Sequence, residues 1–340
     1  MRRDDDRASA RRAAEPRGRV VAAFAAVYVV WGSTYLAIRY AVETIPPFLM
    51  GGVRFLLAGL ALYLWARLRG AARPTREQWN TATVVGVLLL VGGNGAVIWA
   101  EQHVASGLVA LIVAIVPLWM VLLDWLRPGG TRPRASVFVG LTLGLAGLAL
   151  LIGPDALTAG SRRTLDVRAA LVPVLGAFLW ALGSIYSKYT PRPASSQLAT
   201  GMQMLAGGAA FLLVSIVGGE PRHFSVGAVS TASIVGFLYL LTFGSLVGFT
   251  AYIYLLRATT PAKASTYAYV NPIVAVILGW AVAGESLTAR TLIAAAVILG
   301  GVALITFTSS NGARHAAASE DDTRDVGVVG AAEIAEVAER

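Results

Sequence analysis

The sequence predicts an all-α polytopic membrane protein, with ten transmembrane helices arranged as two inverted five-helix repeats. Three observations predict it. Hydrophobic residues are 56% of the 340 and charged residues only 14%, against about 25% charged in soluble proteins, and mean hydropathy is +0.66. Ten apolar runs approach the roughly 20 residues that a helix needs to cross a bilayer. Short motifs recur between the halves in the same order at a nearly constant offset.

The runs fall at 20–40, 47–66, 81–100, 106–126, 135–152, 169–189, 197–217, 231–256, 264–283 and 291–308. They divide the chain into a basic N-terminal tail (1–19), a first repeat (20–153), an external linker loop (154–168), a second repeat (169–308) and an acidic tail (309–340) expected to be disordered. The loops average roughly ten residues, too few for a catalytic or ligand-binding domain. A cleavable signal is not expected, because the first run is long enough to span and carries no small-residue cleavage site.

Short-loop charges set the orientation. Arg2, Arg3, Arg7, Arg11, Arg12, Arg17 and Arg19 crowd the head; Arg67, Arg69, Arg73 and Arg76 fill the second loop; Arg127, Arg132 and Arg134 fill the fourth. The first and third loops carry no Lys or Arg. Both termini are therefore expected in the cytoplasm. The second half is less clean: Arg162, Arg163 and Arg168 sit in a loop assigned outward, and Lys188, Arg192, Arg257 and Lys263 favour the assigned sidedness only weakly.

Composition also excludes. The net charge of +9 is spent between apolar runs, leaving no basic face for nucleic acid. With no cysteine, disulfides, Cys-ligated zinc, iron–sulfur clusters and thiol catalysis fall. His103, His223 and His315 all lie outside the depths of the runs, so neither haem, nor an intramembrane metal, nor rhomboid-type Ser–His chemistry is expected. Only Asp124 lies near a run, where aspartyl proteolysis needs two mid-span Asp, and H-E-x-x-H is absent. No Walker-type loop exists. The expected protein is not an enzyme and carries no cofactor. Its partners are a small-molecule solute and the lipid bilayer, and a homodimer is compatible with this reading.

The repeat is visible in four correspondences. Gly32-Ser33-Thr34-Tyr35 matches Gly183-Ser184-Ile185-Tyr186, with Trp31 and Trp180 upstream. Gly93 falls opposite Gly248, Pro117 opposite Pro272, and Gly147-Leu148-Ala149-Leu150 opposite Gly301-Val302-Ala303-Leu304, at offsets of roughly 151 to 155 residues. Five spans per half is odd, so the second copy enters the membrane upside down. Inverted repeats place a solute site near the midplane between the halves.

Trp31-Gly32-Ser33-Thr34-Tyr35, Pro46-Pro47, Arg54-Phe55, Gly284-Glu285-Ser286-Leu287-Thr288 and Gly300-Gly301 together resemble the EamA-type permeases of the drug/metabolite transporter superfamily, particularly the YedA-like exporters. The resemblance covers about residues 20–308. It implies two five-helix units, a bacterial inner-membrane location, efflux of small metabolites or drugs, and Arg54 as a family feature. The first repeat departs from it, with Arg127-Pro128-Gly129-Gly130 where the second has the Gly-Glu loop.

Candidate solute contacts follow from side chains that share helix faces: Trp31 with Tyr35, Trp180 with Ser184, Tyr267 with Asn271, and Ser245, Phe249 and Tyr252 together, beside Asn94, Trp99 and Trp119. Such a cavity suits amphipathic or aromatic solutes rather than ions. Packing, helix-to-helix amide bonds and the interfacial aromatic belt are the competing roles. Pro117 and Pro272 free the carbonyls of Val113 and Ala268 and are candidate hinges. Arg54 and Glu101 are candidate gate residues. Arg54, the only Arg well inside a run, is expected to clamp the outer end against Glu43 or Glu101; binding an anionic solute is the alternative. Asp124 is expected to snorkel or pair with Arg127, and Glu285 with Thr288 to cap the tenth span. No acidic residue lies at a span centre, which favours transport uncoupled from protons. The expected activity is export of small amphipathic metabolites, amino-acid-like solutes or drugs by alternating access. A channel-like facilitator and a membrane scaffold or sensor are the alternatives.

Overall fold

Among the residues that the computed structural model describes (17–130, 132, 135–152, 167–259, 261–301 and 303–304), all regular structure is helical. Most of the two tails and of the linker loop lies outside them. In chain order the apolar helices are α1 (Arg17–Ala41), α2 (Pro47–Leu68), α3 (Arg76–Ala100), α4 (Ser106–Leu126), α5 (Ala135–Ile152), α6 (Val167–Tyr189), α7 (Ser196–Val217), α8 (Thr231–Ala258), α9 (Tyr267–Ala283) and α10 (Ala289–Gly301). Seven of these, all but α5, α9 and α10, contain a stretch long and apolar enough to cross a membrane.

Local chemistry sets the ends. Pro46 is extended and Pro47 opens α2, where a missing N–H costs nothing. Thr75 and Gln78 form a reciprocal capping box at α3. Ser195, Ser230 and Thr288 accept from Leu198, Ser233 and Thr291 backbone N–H at 3.2, 3.1 and 3.1 Å. Gly284 closes α9 at φ +64°, a left-handed turn that disfavours any side chain. On the basic-loop end, cations cap C-termini: Lys188 Nζ donates to the Leu256 and Thr259 carbonyls at 3.0 and 2.8 Å, and Arg192 donates to those of Ser187 and Lys188. These charges finish helices, which is why they report sidedness weakly. Asp124 pairs with Arg127 at 2.7 Å.

Three helices contain widened π-turns, at Val27–Trp31 in α1, Val87–Asn94 in α3 and Leu240–Phe249 in α8. Such turns recur at functional sites.

Glycine lets the helices meet. On Gly59, a Cβ would lie 2.8 Å from the Leu205 nitrogen; on Gly201, 2.7 Å from the Tyr63 nitrogen; on Gly208, 2.8 Å from the Leu56 nitrogen. Position numbers fall along α7 as they rise along α2, so the two run antiparallel. α5 and α10 do the same, with Gly147 on Ile298 and Gly301 on the backbone of Gly140 and Gly144. α3 runs antiparallel to α6, with Gly183 on Leu88 and Gly176 on Ala96. α1 runs antiparallel to α8, with Gly236 on Ala37 and Gly244 on Thr34. α9 packs on α1 and α4, and α6 on α4. The main core is shared by helices of both halves.

Candidate solute-binding cavity

A cavity lies between the halves and offers about 60 Å³ to the centres of water-sized molecules. One water needs roughly 10–15 Å³ on that measure, so there is room for several. Trp31, Thr34, Tyr35 and Ile38 of α1 form one wall, facing Gly176, Ala177 and Trp180 of α6. Arg54 of α2, Gly93, Asn94 and Val97 of α3, Val113 of α4, Gly244 and Phe249 of α8, and Tyr267 and Asn271 of α9 complete it.

Each cavity Trp rests on a glycine of the other half. A Cβ on Gly93 would lie 2.8 Å from the Trp180 ring, and one on Gly248 would lie 2.2 Å from Trp31 Nε1. Trp31 Nε1 donates to the Gly244 carbonyl at 3.3 Å, inside the α8 π-turn. Trp180 Nε1 donates to the Tyr252 hydroxyl at 3.1 Å, which bonds Ser184 Oγ at 2.7 Å. Trp31 stands edge-on to Trp180, Phe249 and Tyr267 at 5.4, 5.2 and 5.2 Å, the geometry that aromatic quadrupoles favour.

Of the residues expected to touch solute, Trp31, Tyr35, Asn94, Trp180, Phe249, Tyr267 and Asn271 therefore line one cavity. Tyr252 and Ser184 are fully buried just behind its wall, tied to Trp180. Ser245 is buried, and its hydroxyl has no partner. Trp99 and Trp119 lie outside the lining: Trp99 stacks on His103 at 4.4 Å and Trp119 meets Phe178 at 5.3 Å. With its amide turned to the orientation that satisfies both ends, Asn271 donates from its amide nitrogen to the Tyr28 and Tyr267 carbonyls at 3.1 and 3.2 Å and so also ties α9 to α1. Pro117 follows a break in α4 at Ala114–Ile115, next to the cavity residue Val113. Pro272 lies inside α9, one residue beyond Asn271.

Two expected pairings are wrong. Arg54 meets neither Glu43 nor Glu101. Its Nη2 donates to Asn94 Oδ1 at 3.0 Å and its guanidinium sits 4.1 Å from the Phe55 ring centre. Glu43 is exposed, and Glu101 is buried with both oxygens unpartnered. Glu285 does not cap α10. It reaches across to α4, accepting from the Ser106 and Gly107 N–H at 3.0 and 3.3 Å and from Ser106 Oγ at 2.7 Å, and it pairs with Arg39. A carboxylate suits that helix N-terminus better, because Ser106 offers both N–H and hydroxyl.

Electrostatics at this end follow from geometry. Burial pushes the Glu285 carboxyl up, but the donors from Ser106, Gly107 and Arg39 outweigh it and hold it below the usual carboxylate range. Burial pushes Glu101 well above that range; nearby Glu285 adds to this and Arg39 opposes it. Sequence reasoning missed the Arg39–Glu285–Ser106 link, since its partners are 179 and 246 residues apart. It missed Thr34 and Ile38 as well, although both follow Trp31 at helical spacing.

The description "EamA-like transporter family" matches residues 18–153 and again 167–307. The inner membrane transporter YedA of Escherichia coli K12 is 39% identical over 285 residues, covering 83% of this chain and 88% of that protein. A WAT1-related chloroplast protein of Arabidopsis thaliana is 28% identical over 290 residues (84% and 68% covered), and protein PecM of Dickeya dadantii is 27% identical over 279 residues (81% and 88%). A solved crystal structure with 21% identity superposes with a TM-score of 0.61 over 85% of this chain and 98% of that one, a likeness of fold. Matched in both halves, and across most of its length to an inner membrane transporter, this membrane-spanning chain belongs to the EamA-like transporter family.

Proposed function

We propose that the protein exports small amphipathic solutes across the bacterial inner membrane by alternating access through the cavity between its halves, with ten spans and both termini cytoplasmic. One observation carries this reading: helices at matching positions of the two halves pack as antiparallel pairs, α2 on α7 and α5 on α10, and both halves contribute to the lining of one cavity. Advancing each helix by five, from first half to second and back, turns α1–α8 into α6–α3, α1–α9 into α6–α4 and α2–α8 into α7–α3, all of which are contacts present. An inverted repeat has this property and gives two near-equivalent packings, open to opposite sides. The aromatic wall with a few amides and hydroxyls supports amphipathic solutes.

Counterflow in proteoliposomes tests it. A carrier saturates and is stimulated by solute on the far side; a pore does neither. Export screened in cells should fall in Asn271→Ala and Trp180→Ala, and unchanged export in both removes this cavity as the site. Single cysteines in this Cys-free chain test the topology: outside reagents should reach positions 44 and 158 but not 71 or 130. Among the described residues, no carboxylate or histidine is in the cavity lining, which supports transport uncoupled from protons. A strict requirement for a pH gradient in otherwise de-energised proteoliposomes refutes that part.

A further inference from the structure

We infer that Arg54 is the anion-binding residue of the cavity and takes the carboxylate of an amphipathic organic acid, whose apolar body lies against the aromatic wall. This rests on the transport reading and narrows its substrate class.

Arg54 is 2% exposed yet lines the cavity, and among the described residues it is the only charged one in that lining. A buried charge is costly unless it is paired. Arg54 has no carboxylate within 4.0 Å; the ion pairs among the described residues are Arg39–Glu285 and Arg127–Asp124. Its one hydrogen bond goes to a neutral amide, that of Asn94. Its Nε is buried with no partner. Guanidinium carries five donors in a planar fork, so most of its bonding capacity is unused.

A structural clamp would look different. It would put the guanidinium on a carboxylate or on a set of helix-end carbonyls, as Arg39, Arg127 and Arg192 do elsewhere in this chain. Neither Glu43 nor Glu101, the carboxylates that the sequence offered, pairs with it. The arrangement instead leaves a desolvated cation facing space, with an amide beside it and an aromatic ring at its back. The fork fits a carboxylate with two parallel hydrogen bonds. Ammonium and quaternary ammonium solutes meet a like charge with no counter-carboxylate in the lining, so they are rejected.

The test compares matched solutes on purified full-length protein: phenylacetate, indole-3-acetate and 4-phenylbutyrate, each beside its primary amide and the corresponding amine. Binding is read by thermal stabilisation and transport by counterflow. The carboxylates should bind and exchange better than their amides, and the amines should do neither. In Arg54→Gln, carboxylate affinity should fall at least ~10-fold, the loss of one or more charge-assisted hydrogen bonds, to the level of the amide. Asn94→Asp keeps Arg54 but sets a resident carboxylate beside it. That variant should unfold at a higher temperature than wild type and lose its response to carboxylates, and it decides the matter if Arg54→Gln does not fold. Exchange of amides or amines with carboxylates ignored overturns the Arg54 assignment while leaving the transporter reading standing. Carboxylate preference surviving in Arg54→Gln, or in Asn94→Asp, also overturns it. Absence of exchange for every solute, with none stabilising the wild type, counts against both readings.

Discussion

Removing Glu285 should loosen one whole end of the molecule. Its carboxylate holds the α4 N-terminus through three donors, the N–H groups of Ser106 and Gly107 and the Ser106 hydroxyl, and joins it to Arg39 of α1. Hydrogen bonds to a charged group are worth about 1.5–3 kcal/mol when buried. Glu285 is 10% exposed in its side chain, but Arg39 is 34% exposed, so water partly replaces the ion pair and its share stays under about 1 kcal/mol. Glu285→Ala leaves two first-turn N–H groups and a hydroxyl without their acceptor and should cost roughly 3 kcal/mol. Glu285→Gln retains one acceptor and should cost about half of that. Arg39→Ala, combined with Glu285→Ala in a double-mutant cycle, should show a coupling of about 1 kcal/mol. Unfolding in mixed micelles, followed by tryptophan fluorescence, reads wild type and the four variants. The sign of the pH dependence is also set. A carboxyl held below its unfolded value contributes stability above that value and loses it as pH falls through the lower, folded one, so the wild type should lose this increment in acid and Glu285→Ala should not. A Glu285→Ala protein within ~0.5 kcal/mol of wild type, or a coupling indistinguishable from zero, would refute the latch.

Three further outcomes are expected. Tyr252→Phe strips the buried acceptor from Trp180 Nε1 and the partner from Ser184, and should cost about 1–3 kcal/mol with reduced transport; unchanged stability would mean that water fills the gap. Gly248→Ala sets a methyl 2.2 Å from Trp31 Nε1, so Trp31 must move; solute exchange should fall more than stability does, and normal exchange argues against Trp31 as a cavity wall. Gly59→Leu meets α7 backbone 2.8 Å away rather than a flexible side chain, and should unfold the protein or abolish its accumulation in the membrane, whereas Gly18→Leu, with nothing nearby, should be silent.

What was legible in the sequence was what depends on length and local order. The apolar runs mark the helices because lipid offers no partner for an open backbone. The repeat was legible in Trp31, Trp180, Gly93 and Gly248, and the structure gives the reason: each Trp needs a position without a Cβ opposite it. Tyr252 was placed at the cavity from its spacing to Phe249, but its hydroxyl is claimed by Trp180 and Ser184. The π-turns were not legible, since the apolar pattern through Val87–Asn94 and Leu240–Phe249 is continuous and does not record which carbonyls are shared. For Arg54 the sequence offers Glu43 or Glu101, and for Glu285 a cap on the tenth span beside Thr288. Thr288 does cap that helix, but Arg54 meets Asn94 and Glu285 meets Ser106 and Arg39, because the partners are set by which helices cross, and that is a tertiary fact.

The two halves share a packing device and complete it with different bonds, and the difference bears on the proposed mechanism. In perfectly equivalent halves, the packing open to one side and its mirror open to the other would be equally populated. Here the Trp31 N–H goes to a main-chain carbonyl inside a π-turn, and the Trp180 N–H goes to a side chain that Ser184 also holds. The Arg39–Glu285–Ser106 link ties α1 and α4 to the α9–α10 loop, and the first repeat has no Gly-Glu loop at the matching place. Each such bond made in one packing and broken in the other tilts the equilibrium, by about tenfold per 1.4 kcal/mol. A few of them suffice to set the resting state, and none is so strong that solute binding could not reverse it. On this reasoning the bonds that break the symmetry, rather than the aromatic wall common to both halves, decide which side of the membrane the empty cavity faces.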